Sequence, residues 1–413
     1  MRRAAARLIA ITLALASPFL AGSLEPRVFL AFFAIAFAVA AWAVARRSAR
    51  ATHATLVLVS VALATTAFDL VLRLAGLGPV VFYERWPPLP HVNRFVPNVD
   101  RADIPNGDLA AMAGKAAPDA PPIHLVTDAS GFRNDPRLAR QGVEVIVLGD
   151  SFGAGAVSND ATIRAWLARD HALRAIDLST PASSPWQEYV NFRVEQDRIG
   201  VAPGATLAWL IFGGNDLDEY YGPPVETLRF NGEVRQRLFR MRAWRDRSPL
   251  RHLLQRNAPS RDVFSAPFTG GGHFYFYRPY IDAAARGTAA IRAHANFPAL
   301  RATIAGGVAL ARSRGLRPVI FLIPAKEEVY AWVHRGAAPW SSPTTPSGFT
   351  EALLAICRDE KLACFDLKPD LVLESRRAYE KSGTLLYWRD DSHLNAEGNR
   401  FVAARMRALL RGE

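Results

Sequence analysis

The stretch of residues 143–155, VEVIVLGDSFGAG, constrains the fold of this chain more than any other. Its first part, 143–148, is apolar apart from Glu144 and is bounded by Gly142 and Gly149. A short β-branched run between glycines predicts a strand buried on both faces, and such strands occur in parallel sheets covered by helices. A serine follows at the carboxyl end of this strand, where open α/β sheets place their ligands. The stretch therefore predicts an α/β fold with a serine at the functional edge of its sheet.

That serine, Ser151, does not decide a function by itself. A serine after a strand is either an exposed nucleophile on a tight turn or a residue that caps the turn or the next helix. The nearby Gly153 and Gly155 match half of a dinucleotide-binding fingerprint. However, Ser158 takes the place of the third glycine, and no ribose-binding acid follows at the expected distance. The rest of the chain must therefore decide the role of the serine.

Two further motifs are found beyond the first strand. GGND, at 213–216, follows the apolar run 207–212, and DDSH lies at 390–393 near the C-terminus. The order GDSF, GGND and DxxH resembles that of the SGNH (GDSL) hydrolase superfamily, and the resemblance covers roughly 143–413. It implies a hydrolase that attacks esters through a serine.

The resemblance implies a role for each of three side chains. Ser151 is expected to be the nucleophile, His393 the base that removes its proton, and Asp390 the acid that orients the imidazole. Asp390 and His393 are three residues apart, so a turn can bring the carboxylate to the ring. Asp391 is the rival acid, but its two-residue spacing fits the family pattern less well. Neither a cofactor nor a metal is expected, because the nine histidines show no ligand-like clustering.

The resemblance also implies three donors for the oxyanion of a tetrahedral intermediate. They are the backbone N–H groups of Ser151 and Ala182 and the side-chain amide of Asn215. Ala182 occupies a position where the family usually has glycine. An alanine keeps the backbone donor unless the position requires a positive φ.

Four more apolar runs predict the other strands of the sheet. They lie at 175–178, 207–212, 318–323 and 363–367, and helical patterns alternate with them. This alternation predicts a three-layer α/β/α sandwich with a mainly parallel five-stranded sheet, the flavodoxin-like architecture of SGNH hydrolases. The hydrolase domain is predicted over 141–413 with an insertion at about 217–300. The aromatic run 273–277 in this insertion either contacts the substrate or forms the insertion's own small core.

Residues 1–77 have the composition of a membrane anchor. Apolar stretches at 8–22, 28–45 and 55–77 predict two or three transmembrane helices, since a spanning helix needs about 20 apolar residues. The first stretch is either a helix or a cleaved signal peptide. Arginines before the first stretch and after the second place those segments in the cytoplasm. The hydrolase domain is therefore expected on the periplasmic or extracellular side of a bacterial inner membrane.

The third apolar stretch contains two charged residues, Asp69 and Arg73, at a spacing that lets them pair on one helix face. The proline-rich segment 78–140 then predicts an irregular linker and a sheet-edge segment. Within it, TDASGFRN at 127–134 is similar to a segment that often precedes the GDS strand in membrane-anchored members of the superfamily. Its Arg133 either faces an anionic group or belongs to a structural turn, and the turn is the favoured interpretation.

The remaining composition limits the partners. The net charge of +12 comes from scattered basic residues without a nucleic-acid-binding signature, so no nucleic-acid partner is predicted. The only two cysteines, Cys357 and Cys364, are close enough in sequence to form a local disulfide or to remain two buried thiols. Neither the sequence nor the resemblance indicates an oligomeric state.

These observations together predict a membrane-anchored serine esterase that forms an acyl-serine intermediate. Its expected substrate is an O-acyl, for instance acetyl, ester of a cell-envelope or exported glycan. With a sugar hydroxyl as acceptor, the same triad would make an O-acyltransferase. A third alternative is a non-catalytic glycan-binding or assembly protein that keeps the fold.

Overall fold

The structure is a computed structural model that describes residues 11–18, 33–40, 42, 49–75, 83–86, 89, 91–115, 120–228, 247–254 and 259–412. The chain divides into two compact units. One contains residues 1–82 and 230–257, and the other contains residues 83–229 and 258–413.

The strands are β1 (Tyr83–Arg85), β2 (Asn93–Phe95), β3 (Asp100–Ile104), β4 (Ile123–Val126), β5 (Gln141–Leu148), β6 (Ala175–Asp177), β7 (Gly200–Phe212), β8 (Val263–Pro267), β9 (His273–Tyr277), β10 (Arg317–Ile323) and β11 (Ala363–Asp366). The helices with described bounds are α1 (Ala49–Leu74), α2 (Asp108–Met112), α3 (Ser151–Ala154), α4 (Ile163–His171), α5 (Pro185–Glu195), α6 (Pro249–Leu254), α7 (Arg278–Ala285), α8 (Thr288–Arg292), α9 (Phe297–Ser313), α10 (Lys326–Val329), α11 (Ala331–His334), α12 (Gly348–Asp359), α13 (Lys368–Ser382) and α14 (Ala396–Arg411).

The larger unit is built on a parallel five-stranded sheet in the order β11-β10-β7-β5-β6. These are the five strands that the apolar runs predicted, so the predicted α/β class and parallel sheet are confirmed. The main difference is β7, which begins at Gly200 instead of residue 207. Its first half contains Pro203 and Gly204, residues that normally interrupt strands, and its register against β5 shifts there.

Alternating residues of the central strands enter two separate cores. In β7, Trp209 belongs to one core and Leu210 to the other. Helices α5, α9 and α12 contribute buried residues to the first core, and α4, α13 and α14 contribute to the second. The sheet is therefore the middle layer of a three-layer sandwich.

The described part of the insertion contains an antiparallel hairpin of β8 and β9. Phe274 and Phe276 on β9 are fully buried and belong to the second core with Phe268 and Tyr330. His273 is exposed. Phe274 and Phe276 therefore serve packing, but they pack into the second core of the sheet and not into a small core of the insertion's own.

The smaller unit contains α1, whose residues Thr52–Leu74 are long and apolar enough to cross a membrane by length and composition. It is the only such helix in the part of the chain that the structure describes. About half of each predicted stretch, 8–22 and 28–45, is described, and the described residues 11–18 and 33–40 are helical. Leu15, Ala36 and Ala62 from these three segments form a small buried cluster.

Asp69 on α1 is buried and has partners on two segments. It accepts a hydrogen bond from Arg73 Nε at 2.8 Å, which is the predicted pair. It also accepts from Ser248 Oγ at 2.5 Å and from the backbone N–H of Leu250 at 3.1 Å, at the start of α6. The domain prediction assigned all of 217–300 to the hydrolase domain, whereas the described residues 247–254 group with the smaller unit.

The two cysteines are joined in a disulfide. Cys357 lies in α12 and Cys364 in the edge strand β11, with a Cα–Cα distance of 6.2 Å. Of the two states that the sequence allowed, the structure has the bonded one, and the bond fastens the edge strand to the helix before it.

Arg133 is fully buried, and its side chain stabilises a turn of the backbone. Its guanidinium donates to the carbonyl oxygens of Ala154 (2.9 Å), Gly155 (2.5 Å) and Val157 (2.5 Å) and to Asn159 Oδ1 (2.8 Å). It therefore satisfies the backbone of the loop that follows Ser151, and it faces carbonyl groups instead of an anion.

We expect Arg133→Met to lower the free energy of unfolding by about 3 kcal/mol or more, because each buried carbonyl left without a donor costs about 1–3 kcal/mol. Thermal or urea unfolding of the purified protein measures this loss. Arg137→Met is the matched control. Arg137 is exposed and pairs with Asp135, and the loss of such a solvent-screened surface pair should leave stability nearly unchanged. Equal stability of the two variants would contradict the structural role of Arg133.

Candidate active site

The serine and the histidine predicted from the motifs are in contact. Ser151 is the first residue of α3, directly after β5, and the carboxylate of Asp150 caps this short helix by accepting the N–H of Phe152 at 2.8 Å. His393 lies in the loop between α13 and α14. Its Nε2 is 2.7 Å from Ser151 Oγ. This distance allows the hydroxyl to donate its hydrogen to the ring when Nε2 is unprotonated.

Asp391 contacts the other ring nitrogen, so the structure corrects the prediction of Asp390 as the orienting acid. Asp391 Oδ1 is 2.6 Å from His393 Nδ1 and also accepts the backbone N–H of His393 at 2.9 Å. The carboxylate of Asp390 instead accepts the N–H of Ala120, at 3.1 and 3.2 Å. The physical reason is local: an aspartate readily folds back onto the backbone N–H two residues later. This turn carries Asp391 to the ring and directs Asp390 to another segment.

The second oxygen of Asp391 is held by a segment far away in sequence. Oδ2 accepts the backbone N–H groups of Gly107 at 3.0 Å and Asp108 at 2.9 Å. Both belong to residues 105–115, which we call the strap. Burial alone would raise the pKa of Asp391, but the charge of His393 and these hydrogen bonds hold that pKa well below its usual range. Asp391 is therefore a carboxylate at neutral pH.

The carboxylates around His393 favour its charged form. Burial lowers the pKa of His393, but the charge and hydrogen bond of Asp391, with smaller contributions from Asp108 and Asp150, raise it to about 9. The site is thus built to stabilise an imidazolium, which is the state that a general base reaches when it removes a proton from serine.

Asp108, in the strap, is a site residue that the motifs did not reveal. Its carboxylate accepts the N–H of Ser392 at 2.7 Å and the hydroxyl of Ser392 at 2.5 Å. Its Oδ2 lies 3.9 Å from His393 Nδ1. Residues 78–140 were predicted as a linker and sheet-edge segment, and no signal connected position 108 with the C-terminal motif.

Lys326 is a second residue that the motifs missed. It follows β10 and is fully buried, and its ammonium donates to the carbonyl oxygens of Trp388 (3.2 Å), Arg389 (3.3 Å) and Asp391 (2.7 Å). Burial lowers the pKa of Lys326, although neighbouring carboxylates oppose that shift. Its position after a predicted strand, at the edge where ligands bind, was the only available signal. The ammonium fixes the backbone of the loop that carries the triad acid and base.

The predicted oxyanion donors follow neighbouring strands of the sheet. Ser151 follows β5, Ala182 follows β6 and Asn215 follows β7, and these three strands are adjacent and parallel. Their carboxyl ends therefore lie at one edge. Asn215 Nδ2 donates one hydrogen bond to Glu219 Oε1 at 3.1 Å, and a side-chain amide carries a second N–H. The oxyanion roles of these groups remain predictions.

Ala182 has the backbone conformation that a glycine would adopt. Its φ is 51°, in the left-handed region, where an alanine costs about 1–2 kcal/mol. Asn93 Nδ2 donates to the carbonyl oxygen of Ala182 at 2.9 Å and lies 3.4 Å from that of Pro181. Ala182 therefore has the positive φ that favours glycine, which is the condition under which the prediction of an alanine as backbone donor at this position is weakened.

Three buried carboxyl groups lie next to the catalytic turns. Asp150 precedes the serine, Asp216 accepts the N–H of Phe212 at 2.7 Å, and Glu188 on α5 accepts the indole N–H of Trp209 at 2.6 Å. Burial is the main cause that raises the pKa of each, for Asp150 to about 6. Their hydrogen bonds stabilise the region where β5 and β7 end and where Ser151 and Asn215 follow.

One group of side chains among the described residues has the spacing of a metal site. Ligand atoms of Asp108, Asp391 and His393 lie within 4.8 Å of one another. These atoms already receive donors: Asp391 from His393 and the strap, and Asp108 from Ser392. The triad therefore accounts for the cluster, and the absence of a metal remains a prediction.

No protein-family model matches this chain, and no curated protein matches it. Solved structures do match. An acetyl xylan esterase, AlAXEase, has a TM-score of 0.34 and 12% identity, and the match covers 65% of this chain and 99% of that one. The psychrotrophic esterase EstA from Pseudoalteromonas sp. has a TM-score of 0.33 and 10% identity, covering 65% and 96%.

A GDSL-like lipase from Bacteroides thetaiotaomicron VPI-5482 has a TM-score of 0.32 and 12% identity, covering 65% of this chain and 87% of that chain. Likeness at this level leaves activity and substrate open. The motifs, the sheet and the contacts within the chain itself are more specific. The chain thus has its serine, its amide and its acid–histidine pair, in that order, on a parallel five-stranded sheet, which is what its resemblance to the SGNH (GDSL) hydrolase superfamily implied.

Proposed function

We propose that this protein is a membrane-anchored, outward-facing serine esterase that acts through an acyl-serine intermediate. The observation that carries the proposal is the continuous contact from Ser151 Oγ to His393 Nε2 at 2.7 Å and from His393 Nδ1 to Asp391 at 2.6 Å. A nucleophile, a base and an orienting acid in this arrangement are the elements of covalent acyl transfer.

In the first half of the reaction, Ser151 Oγ attacks the ester carbonyl carbon while His393 Nε2 takes its proton. The carbonyl oxygen becomes an oxyanion, which the N–H groups of Ser151 and Ala182 and the amide of Asn215 would stabilise. His393 then gives its proton to the departing alkoxide, so that an alcohol leaves and an acyl-serine remains. In the second half, His393 removes a proton from water, whose oxygen attacks the acyl carbon, and Ser151 regains its proton as the acid leaves.

The proposed substrate is an O-acyl, for instance acetyl, ester of a cell-envelope or exported glycan. Two observations support a location outside the cytoplasm. Helix α1 is apolar enough to span a membrane, and the Cys357–Cys364 disulfide suits an oxidising compartment. An acetyl xylan esterase is among the proteins of similar structure. With a sugar hydroxyl in place of water in the second half-reaction, the same residues would transfer the acyl group.

We expect Ser151→Ala to abolish hydrolysis of p-nitrophenyl acetate by the purified full-length protein, with a loss of at least about a thousandfold in kcat, because no acyl-enzyme can form. Ser158→Ala changes a nearby serine outside the triad and serves as the control. A folded wild-type protein without turnover and without an acylated Ser151 by mass spectrometry would contradict the esterase and favour a glycan-binding protein. Acyl-Ser151 that persists in water and disappears with an added sugar would indicate a transferase.

A second prediction separates the two neighbouring aspartates. Asp391→Asn should lower kcat by about a thousand- to ten-thousandfold, because an amide cannot hold the required tautomer or stabilise the imidazolium. Asp390→Asn keeps an oxygen acceptor for the N–H of Ala120 and should lower kcat less than about tenfold. The same assay measures both variants. A larger loss in Asp390→Asn, at equal thermal stability, would restore Asp390 as the acid of the triad.

A further inference from the structure

We propose that Asp108 is a positioning residue that acts as a second carboxylate for His393, sharing with Asp391 the stabilisation of the imidazolium formed during acyl transfer. The proposal rests on the esterase function proposed above. It adds a fourth side chain to the Ser151–His393–Asp391 constellation, and that side chain comes from the strap, outside the three motifs.

The carboxylate of Asp108 lies beside the ring of His393. Asp108 uses both carboxylate oxygens on Ser392, the residue between the acid and the base, by accepting its N–H at 2.7 Å and its hydroxyl at 2.5 Å. Ser392 Oγ lies 3.3 Å from His393 Nδ1, and Asp108 Oδ2 lies 3.9 Å from the same nitrogen. A change at Asp108 therefore reaches the ring both through its charge and through the position of Ser392.

The charges near His393 are mostly negative. Among the described residues they include Asp391 on its own loop, Asp108 on α2 and Asp150 on the turn after β5, while the ammonium of Lys326 is bonded to the carbonyl oxygen of Asp391. Three of these are acidic, so a positive ring is favoured. The Asp391 side chain is 2% exposed and that of Asp108 is 38% exposed. Water therefore screens the charge of Asp108 more than that of Asp391, so Asp108 stabilises the charged ring less than Asp391 does.

Two carboxylates lie close to the ring and to each other without sharing a donor group. Each has its own donors: Asp391 has the backbone N–H groups of Gly107 and Asp108, and Asp108 has both donors of Ser392. The backbone of Asp108 thus serves one carboxylate while its side chain forms the other. Burial and the charge of Asp391 raise the pKa of Asp108, whereas the charge of His393 and the donors of Ser392 oppose that rise, so a charged ring favours the charged form of Asp108.

Asp108 therefore makes His393 a stronger base, which titrates at a higher pH than it would with Asp391 alone. A carboxylate near the ring stabilises the protonated form, so it raises the pH above which the free enzyme holds His393 neutral and ready to act. Without Asp108, the acidic limb of the pH profile of kcat/KM should move to lower pH.

The test compares wild type, Asp108→Asn and Asn106→Ala as full-length proteins, with kcat/KM for p-nitrophenyl acetate measured between about pH 6 and about pH 9.5, the range around a raised histidine pKa. We expect Asp108→Asn to move the acidic limb down by about 1 to 2 pH units, which is the effect of one partly screened charge about 4 Å away. Asn106 belongs to the strap and donates to the carbonyl oxygen of Ala156 at 2.8 Å, but it carries no charge. Its variant reports loosening of the strap and should leave the limb in place.

A second measurement does not depend on turnover. His393 is titrated by NMR in the Ser151→Ala protein with labelled histidine, and its signal is assigned by its loss in His393→Gln. The histidine pKa should fall in Asp108→Asn by the same amount as the kinetic limb. An unmoved pKa would overturn the proposal. If the wild type has no esterase activity, the proposed function fails, but this titration still decides whether Asp108 stabilises the imidazolium.

Discussion

The active site depends on the carboxylate of Asp391. It receives four donors: the ring Nδ1 and backbone N–H of His393 and the backbone N–H groups of Gly107 and Asp108. Since burial opposes its charge, these donors are what keep it ionised. With the charge in place, the imidazole is held in one orientation and directed at Ser151. Without this charge, Ser151 and His393 would still be neighbours, but neither the orientation nor the tautomer of the imidazole would be fixed.

This carboxylate lies among loops whose backbone carbonyl groups are bound by buried cations. Lys326 binds three carbonyl groups of the loop that contains Asp391, and Arg133 binds three carbonyl groups of the loop that follows Ser151. Both cations face backbone oxygens and not substrate. Irregular backbone cannot satisfy its own carbonyls as helices and strands do. A long donor side chain from a neighbouring segment is therefore the means by which such loops become rigid enough to hold a reactive geometry.

The sequence was sufficient for the sheet and for two of the three triad residues. The five apolar runs coincide with the five strands because four of the strands are largely buried, and Ser151 and His393 followed from short motifs. The acid was missed by one residue, because the choice between Asp390 and Asp391 depends on a turn whose backbone the spacing alone does not determine. Asp108 and Lys326 were not found, since each reaches the site through tertiary contacts and carries no local motif. The start of β7 was missed because proline and glycine are tolerated there at a bulged end of the sheet.

The contact between the strap and Asp391 joins residues 283 and 284 positions apart. This separation determines the order in which the parts of the site are synthesised. The nucleophile, the strap and most of the sheet leave the ribosome long before the loop that supplies the base and its acid. Ser151 therefore remains an ordinary, unactivated hydroxyl on the nascent chain. Contacts between residues so far apart tend to form late in folding, because loop closure costs entropy before the contact forms, so the proposed reactivity arises only when the last strands and helices have packed.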